Sequence, residues 1–179
     1  METIVVNLFG VPGSGKSTCA AEVFAKLKRL DVNAELITEY AKDKIWEEND
    51  TVFENQFYVT AKQSYRQSRC RNKVDVMVTD SPLPVGLFFT TDPILLSNSF
   101  KKTVLDIFTS YNNVNFFLNR VKKYNPKGRF QTEEESNNLV TPMKKLLDDN
   151  NIQYTLLDGN EKSVEKIVKR VMELVLQEQ

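Results

Sequence analysis

Gly10, Gly15, Lys16 and Ser17 stand at the spacing G-x-x-x-x-G-K-[ST], the phosphate-binding loop known as Walker A. The chemistry explains the residue types. Glycines let successive backbone N–H groups turn inward into a concave anion nest. A helix that starts at the loop points its positive end and its unpaired N–H groups at the same place. Pro12, Gly13 and Ser14 complete the loop, and Thr18 opens the helix. Lys16 can reach the β- and γ-phosphates of a nucleotide, and the Ser17 hydroxyl can ligate Mg²⁺. An ordinary glycine-rich turn is the plain alternative, but the flanks fit the motif. Residues 4–9 are a short apolar, β-branched run, and Ala20, Val23, Phe24, Leu27 and Leu30 recur at one-face helical spacing.

Two carboxylates are placed where such a loop would use them. Residues 74–79 form an apolar run that ends at Asp80, the Walker B pattern, whose carboxylate holds Mg²⁺ directly or through water. Residues 34–38 read as a strand followed by Glu39. Open parallel sheets bind ligands outside the carboxyl ends of their strands. The chain has no histidine, so histidine ligands and histidine acid–base catalysis are excluded. A proton must go to a carboxylate, Lys, Tyr, Cys or water. Asp80 is therefore expected to serve the metal, with Ser17, and Glu39 to receive or orient an acceptor hydroxyl. The bland reading of Glu39 is a helix cap.

Residues 52–71 read as a long helix capped by Asp50-Thr51, its apolar positions interrupted by polar ones. Gln56 and Tyr58 or Gln63 are candidates to hydrogen-bond an acceptor, and Arg66 or Arg69 to meet its phosphate. A half-buried helix with a solvated face is the alternative. Residues 120–129 hold Arg120, Lys122, Lys123, Lys127 and Arg129 with no acid among them, broken by Asn125-Pro126 and Gly128. The segment, to about residue 131, is expected to act as a lid over polyphosphate. Arg129 would contact the donor phosphates and Arg120 would stand at the hinge. A solvated charged loop is the competing reading.

The elements that must position these groups alternate. Strands are expected at 4–9, 34–38, 74–79, 114–118 and 152–157. Helices are expected after 17, at 41–48, at 52–71, from Ser97 or Ser99 to about 111, from a capping box at Thr132 with a kink at Thr141-Pro142, and over 164–175. Pro82 and Pro84 make 81–86 a turn-rich loop. The pattern predicts an α/β fold, a five-stranded parallel sheet sandwiched by helices, in a single domain spanning 1–179.

Lys plus Arg and Asp plus Glu both number 24, a formal net charge of zero, which argues against a broad nucleic-acid footprint. Cys19 and Cys70 form no C-x-x-C pair, so no zinc site is supported, and Cys19 reads as a plain buried thiol. No signal peptide or membrane-length apolar run is evident, and a cytoplasmic protein with no membrane partner is expected.

With these residues in hand, the chain resembles the small P-loop kinases of the nucleoside and nucleotide kinase group and the related short ATP-binding kinase domains of bacteria and phages. The resemblance runs over nearly the whole chain. It implies the P-loop NTP hydrolase fold with strand order 2-3-1-4-5, ATP and Mg²⁺ as cofactors, a lid after strand four whose arginines bind phosphates, and an acid after strand two or three as base or magnesium ligand. It departs from the deoxynucleoside kinases where Glu39 is followed by Tyr-Ala-Lys rather than Pro, and Asp80 by Ser-Pro rather than Arg-Ser. The implied activity is phosphoryl transfer from ATP to a nucleoside or nucleotide. The alternatives are a kinase acting on a DNA or RNA end or a modified base, and an ATPase switch. No N-K-x-D motif speaks for a GTPase, and an AAA-type motor would need a second helical domain, for which the chain is short.

Overall fold

The computed structural model describes residues 2–127 and 131–177. Strands β1 (Ile4–Phe9), β2 (Ala34–Ile37), β3 (Val76–Thr79), β4 (Asn112–Asn119) and β5 (Thr155–Asp158) form one parallel sheet in the order β2-β3-β1-β4-β5. The expected order and fold class hold. Among the described residues eight α-helices accompany them: α1 (Lys16–Arg29), α2 (Tyr40–Trp46), α3 (Gln56–Ser68), α4 (Pro84–Phe88), α5 (Asn98–Thr109), α6 (Glu133–Asn138), α7 (Val140–Asp149) and, after the last strand, α8 (Glu161–Gln177).

A parallel sheet covered on both faces needs strands that are apolar on both sides. β1 meets that demand with every residue buried. Ile4, Val6 and Leu8 face α1 and α8 and pack with Val23, Leu27, Ile167 and Val171. Phe9 faces the other way, into a cluster with Leu83, Phe108, Phe117, Met143 and Leu147, and Val5 joins Ile37, Met77 and Tyr111. This double burial puts β1 at the centre and leaves the carboxyl ends of β1, β2 and β3 side by side.

Several local expectations are corrected. Asp50-Thr51 caps no long helix: Asp50–Glu54 is a short 3-10 turn, and Asn55 caps α3 by accepting from the Tyr58 N–H at 3.0 Å. Residues 81–86 are not merely a loop, because Pro84 occupies the first turn of α4, where its missing N–H costs nothing. The fourth strand, expected at 114–118, is longer at both ends, and β4 takes in Asn112-Asn113. The Thr132–Glu135 capping box forms as read, and the chain restarts at Leu139 so that Pro142 falls in the first turn of α7. Among the described residues no helix is long and apolar enough to cross a membrane.

Candidate active site

The loop from Phe9 to Lys16 turns tightly, and Gly10, Gly13 and Gly15 all take positive φ, at 143°, 80° and 93°. Side chains rarely adopt that backbone. Space is equally restrictive: a Cβ on Gly10 would lie 2.8 Å from the Leu118 carbonyl oxygen, and one on Gly13 would lie 2.9 Å from the Tyr124 ring. Lys16 Nζ donates to the carbonyls of Gly10 at 2.8 Å and Val11 at 3.1 Å, so the ammonium is drawn across the loop. Other elements fasten the loop from outside. Ser136 Oγ on α6 donates to the Pro12 carbonyl at 2.7 Å. Gly159, after β5, comes so close that a Cβ there would sit 2.0 Å from the Ser14 carbonyl oxygen.

A cavity of about 690 Å³ opens from this loop. Gly10, Pro12, Gly13, Gly15, Lys16, Ser17 and Thr18 line one side. Glu39 and Asp80 line the cavity as well. The rest of the lining includes Lys42, Ile45 and Trp46 of α2, Asp50 and Phe53 of the 3-10 turn, Gln56 and Val59 of α3, Val85 and Phe89 in and after α4, and Lys127. A side cleft of about 220 Å³ shares Ser17, Glu39, Lys42, Trp46 and Asp80 with it.

Asp80 is 6 % exposed, and its Oδ1 is buried without a hydrogen-bond partner. An orphaned buried carboxylate oxygen is costly unless something else meets it, and a cation bound beside Ser17 would do so. Residues Ser17 and Asp80 thus fit a magnesium ion, and the glycine nest fits polyphosphate. Glu39 is the N-cap residue of α2, yet its side chain makes no capping hydrogen bond. The carboxyl is left to the cavity. Glu39 is half-buried by surface, but enough protein surrounds its carboxyl that burial raises its pKa; the Lys16 charge opposes the shift and Asp80 adds to it.

The structure does not bring every candidate to this cavity. Gln56 lines it and is buried. Gln63 does not: its Oε1 accepts from the Tyr40 N–H at 2.9 Å and its Nε2 donates to the Thr38 carbonyl at 3.4 Å. Arg66 also turns away, donating to the Thr38 carbonyl and hydroxyl at 3.1 and 3.0 Å and pairing with Asp43. Arg69 lies 3.6 Å from Glu35, and Tyr58 stacks edge-on against Tyr40. Arg120 stands beside the loop rather than in the cavity. It is tied to Glu133 and Asn137 of α6 and packs on Tyr124, while its Nη1 is buried without a partner. It is pinned, not free at a hinge. Arg129 lies outside the described residues.

Some contributors escaped the sequence reading. Trp46, Phe53, Lys42 and Phe89 give no motif, and only folding gathers them. Gly159 had a readable signal, since the turn after β5 must lie at the same sheet edge as the Walker A loop. Cys19 is two residues beyond Ser17, but burial pushes its thiol up to about 12, with Glu22 adding, so it stays protonated and unreactive.

A parallel sheet in the order 2-3-1-4-5, with a Walker A loop between β1 and α1, defines a P-loop protein of kinase-like fold. The chain belongs to the AAA domain family, whose model matches residues 5–165, from β1 into α8. Among solved structures, deoxyadenosine kinase from M. mycoides with bound dATP is similar at a TM-score of 0.54 and 18% identity, over 96% of this chain and 98% of that one. Shikimate kinase from Aquifex aeolicus aligns at 0.49 and 17%, over 97% and 96%. At such identities the likeness is one of fold. No curated protein matches the sequence.

Proposed function

We propose that the chain is an ATP- and Mg²⁺-dependent kinase that phosphorylates a hydroxyl of a nucleoside. The observation that carries this reading is the position of Glu39. Glu39 lines one cavity together with the phosphate nest and with the apolar and aromatic side chains of Ile45, Trp46, Phe53, Val59, Val85 and Phe89. A switch that only hydrolyses nucleotide has no need of such a chamber.

The lining of that cavity supports the following roles. The nest and Lys16 hold the donor phosphates, and Lys16 exchanges its loop carbonyls for them. Ser17 and Asp80 hold Mg²⁺, which neutralises charge on the transferring group. The acceptor oxygen forms a bond to the γ-phosphorus as the bridging bond to the β-phosphate breaks; its proton passes to Glu39, and ADP leaves. Trp46, Phe53 and Phe89 offer rings to a flat base, and Gln56 offers an amide to its edge. Arg129 is assigned to the donor phosphates in the same proposal, as the lid reading requires.

A neutral acceptor is favoured over one that already carries phosphate. Arg66, the side chain expected to meet an acceptor phosphate, is bound to Asp43 and Thr38. No arginine lines the cavity among the described residues, and beside Lys42 and Lys127 its lining carries Asp50. A screen of ATP turnover with nucleosides, nucleotides and DNA tests the reading. Stimulation by nucleosides is expected. Stimulation by DNA alone would move the acceptor to a polynucleotide, and turnover that no acceptor changes would indicate an ATPase switch.

A further inference from the structure

Glu39 sits between two peptide groups that are both held by one helix. On its N-terminal side, the Thr38 carbonyl accepts from Gln63 Nε2 and from Arg66 Nη1. On its C-terminal side, the Tyr40 N–H donates to Gln63 Oε1 at 2.9 Å. Gln63 is 5 % exposed, and its amide spans the two residues flanking Glu39. Arg66 adds a bond to the Thr38 hydroxyl, an ion pair to Asp43 and a contact 5.3 Å from the Tyr40 ring centroid. A buried amide with both ends bonded fixes the backbone between its partners. The same helix, one turn or two earlier, lines the cavity with Val59 and Gln56.

We propose that Gln63 and Arg66 are positioning residues that aim the Glu39 carboxyl into the cavity, and that α3 thereby ties the acceptor wall to the catalytic base. This rests on the role given to Glu39 under Proposed function. One helix thus carries both part of the cavity wall and the clamp on the base. Glu39 also faces Lys16 from the loop, Asp80 from the end of β3, and Lys42 and Asp43 from its own helix. The first bond of α2 holds the Glu39 carbonyl, and α3 holds the peptide groups on either side of it.

A double-mutant cycle separates positioning from general support. Gln63→Leu removes both amide bonds. With the nucleoside that the screen shows to be phosphorylated, kcat should fall by about 10²-fold, the cost of misplacing a reacting group by about 1 Å, with KM for ATP little changed. In the Glu39→Gln background the same change should cost nothing further. Gln63→Glu keeps the acceptor for the Tyr40 N–H but loses the donor to the Thr38 carbonyl, and should recover only part of kcat. Losses that add in the double mutant would overturn the proposal. Should Gln63→Leu fail to fold, Arg66→Leu removes the outer half of the clamp at a more exposed position and enters the same cycle. A crystal structure of either variant needs no acceptor. It should show the Glu39 carboxyl turned out of the cavity, and an unmoved carboxyl would overturn the clamp. If the screen finds no phosphorylated nucleoside, the functional reading falls, while the crystal structure still decides the clamp.

Discussion

Glu39 and Asp80 leave neighbouring strands at the same edge of the sheet. Ile37 of β2 pairs with Thr79 of β3, so Asp80 follows its strand by one residue and Glu39 by two, and both carboxyls line one cavity. Burial, with Asp80 adding, raises the Glu39 pKa. A carboxyl raised in the folded state contributes stability that is fully present below the ordinary carboxylate range. It is lost as pH rises through the folded value, because the native state then holds a proton that the unfolded chain has released. In metal-free buffer, the wild type should therefore lose stability relative to Glu39→Gln as pH rises from about 4 towards 7. Thermal unfolding across that range checks the sign; parallel curves would mean that Glu39 titrates as a free carboxyl.

Lys16 is proposed to neutralise charge on the transferring phosphoryl group. Lys16→Ala should lower turnover by about 10³-fold or more, the scale of losing a strong electrostatic contact in a transition state. The fold should survive, because the Lys16 bonds to Gly10 and Val11 stay within the loop and touch no residue of the core clusters around β1. Circular dichroism and steady-state turnover on one preparation test both halves. A folded variant with near-native turnover would remove Lys16 from the chemistry.

The central layout was readable because its signals are local. A Walker A loop needs its glycines and lysine within eight consecutive residues, and β1 is an apolar run interrupted only at Asn7. The box at Thr132 and Glu135 is likewise contained in one turn. Misreadings arose where a side chain's partner lies far along the chain. Gln63 and Arg66 look like a polar helix face, yet Thr38 and Tyr40, more than twenty positions earlier, consume them. Pro84 reads as a breaker until the first turn of α4 shows that it begins a helix. Trp46 and Phe89 become one wall only through the packing of α2, α3 and α4.

The basic segment after β4 begins from a pinned point. Arg120 is held by Glu133 and Asn137 of α6, and Tyr124 lies over Gly13 while its hydroxyl donates to the Gln131 carbonyl. If the segment is a lid, amides of Val121 to Lys127 should exchange more slowly once a non-hydrolysable ATP analogue is bound. Hydrogen-exchange mass spectrometry at saturating analogue reads this. Unchanged protection would make the segment an ordinary charged loop.

Gly159 matters because of what it touches. A methyl group there would overlap the Ser14 carbonyl, which the Walker A loop cannot move without disturbing its nest. Gly159→Ala should destabilise the protein by about 1–3 kcal/mol, the usual cost of overpacking, and should weaken ATP binding as well. Denaturant unfolding and an ATP titration together test this. A loss of stability with unchanged ATP affinity would show that the loop yields without cost to the nest.

Transfer itself is the most direct test of the account. ATP labelled in the γ-phosphate is incubated with Mg²⁺, the protein and each nucleoside in turn, and the products are separated. Label should appear on a nucleoside with the wild type. With Glu39→Gln it should appear more slowly by about 10²–10⁴-fold, the span of general-base contributions, at little-changed ATP affinity. Label found only in inorganic phosphate, at a rate indifferent to every nucleoside and to Glu39, would contradict the proposed kinase.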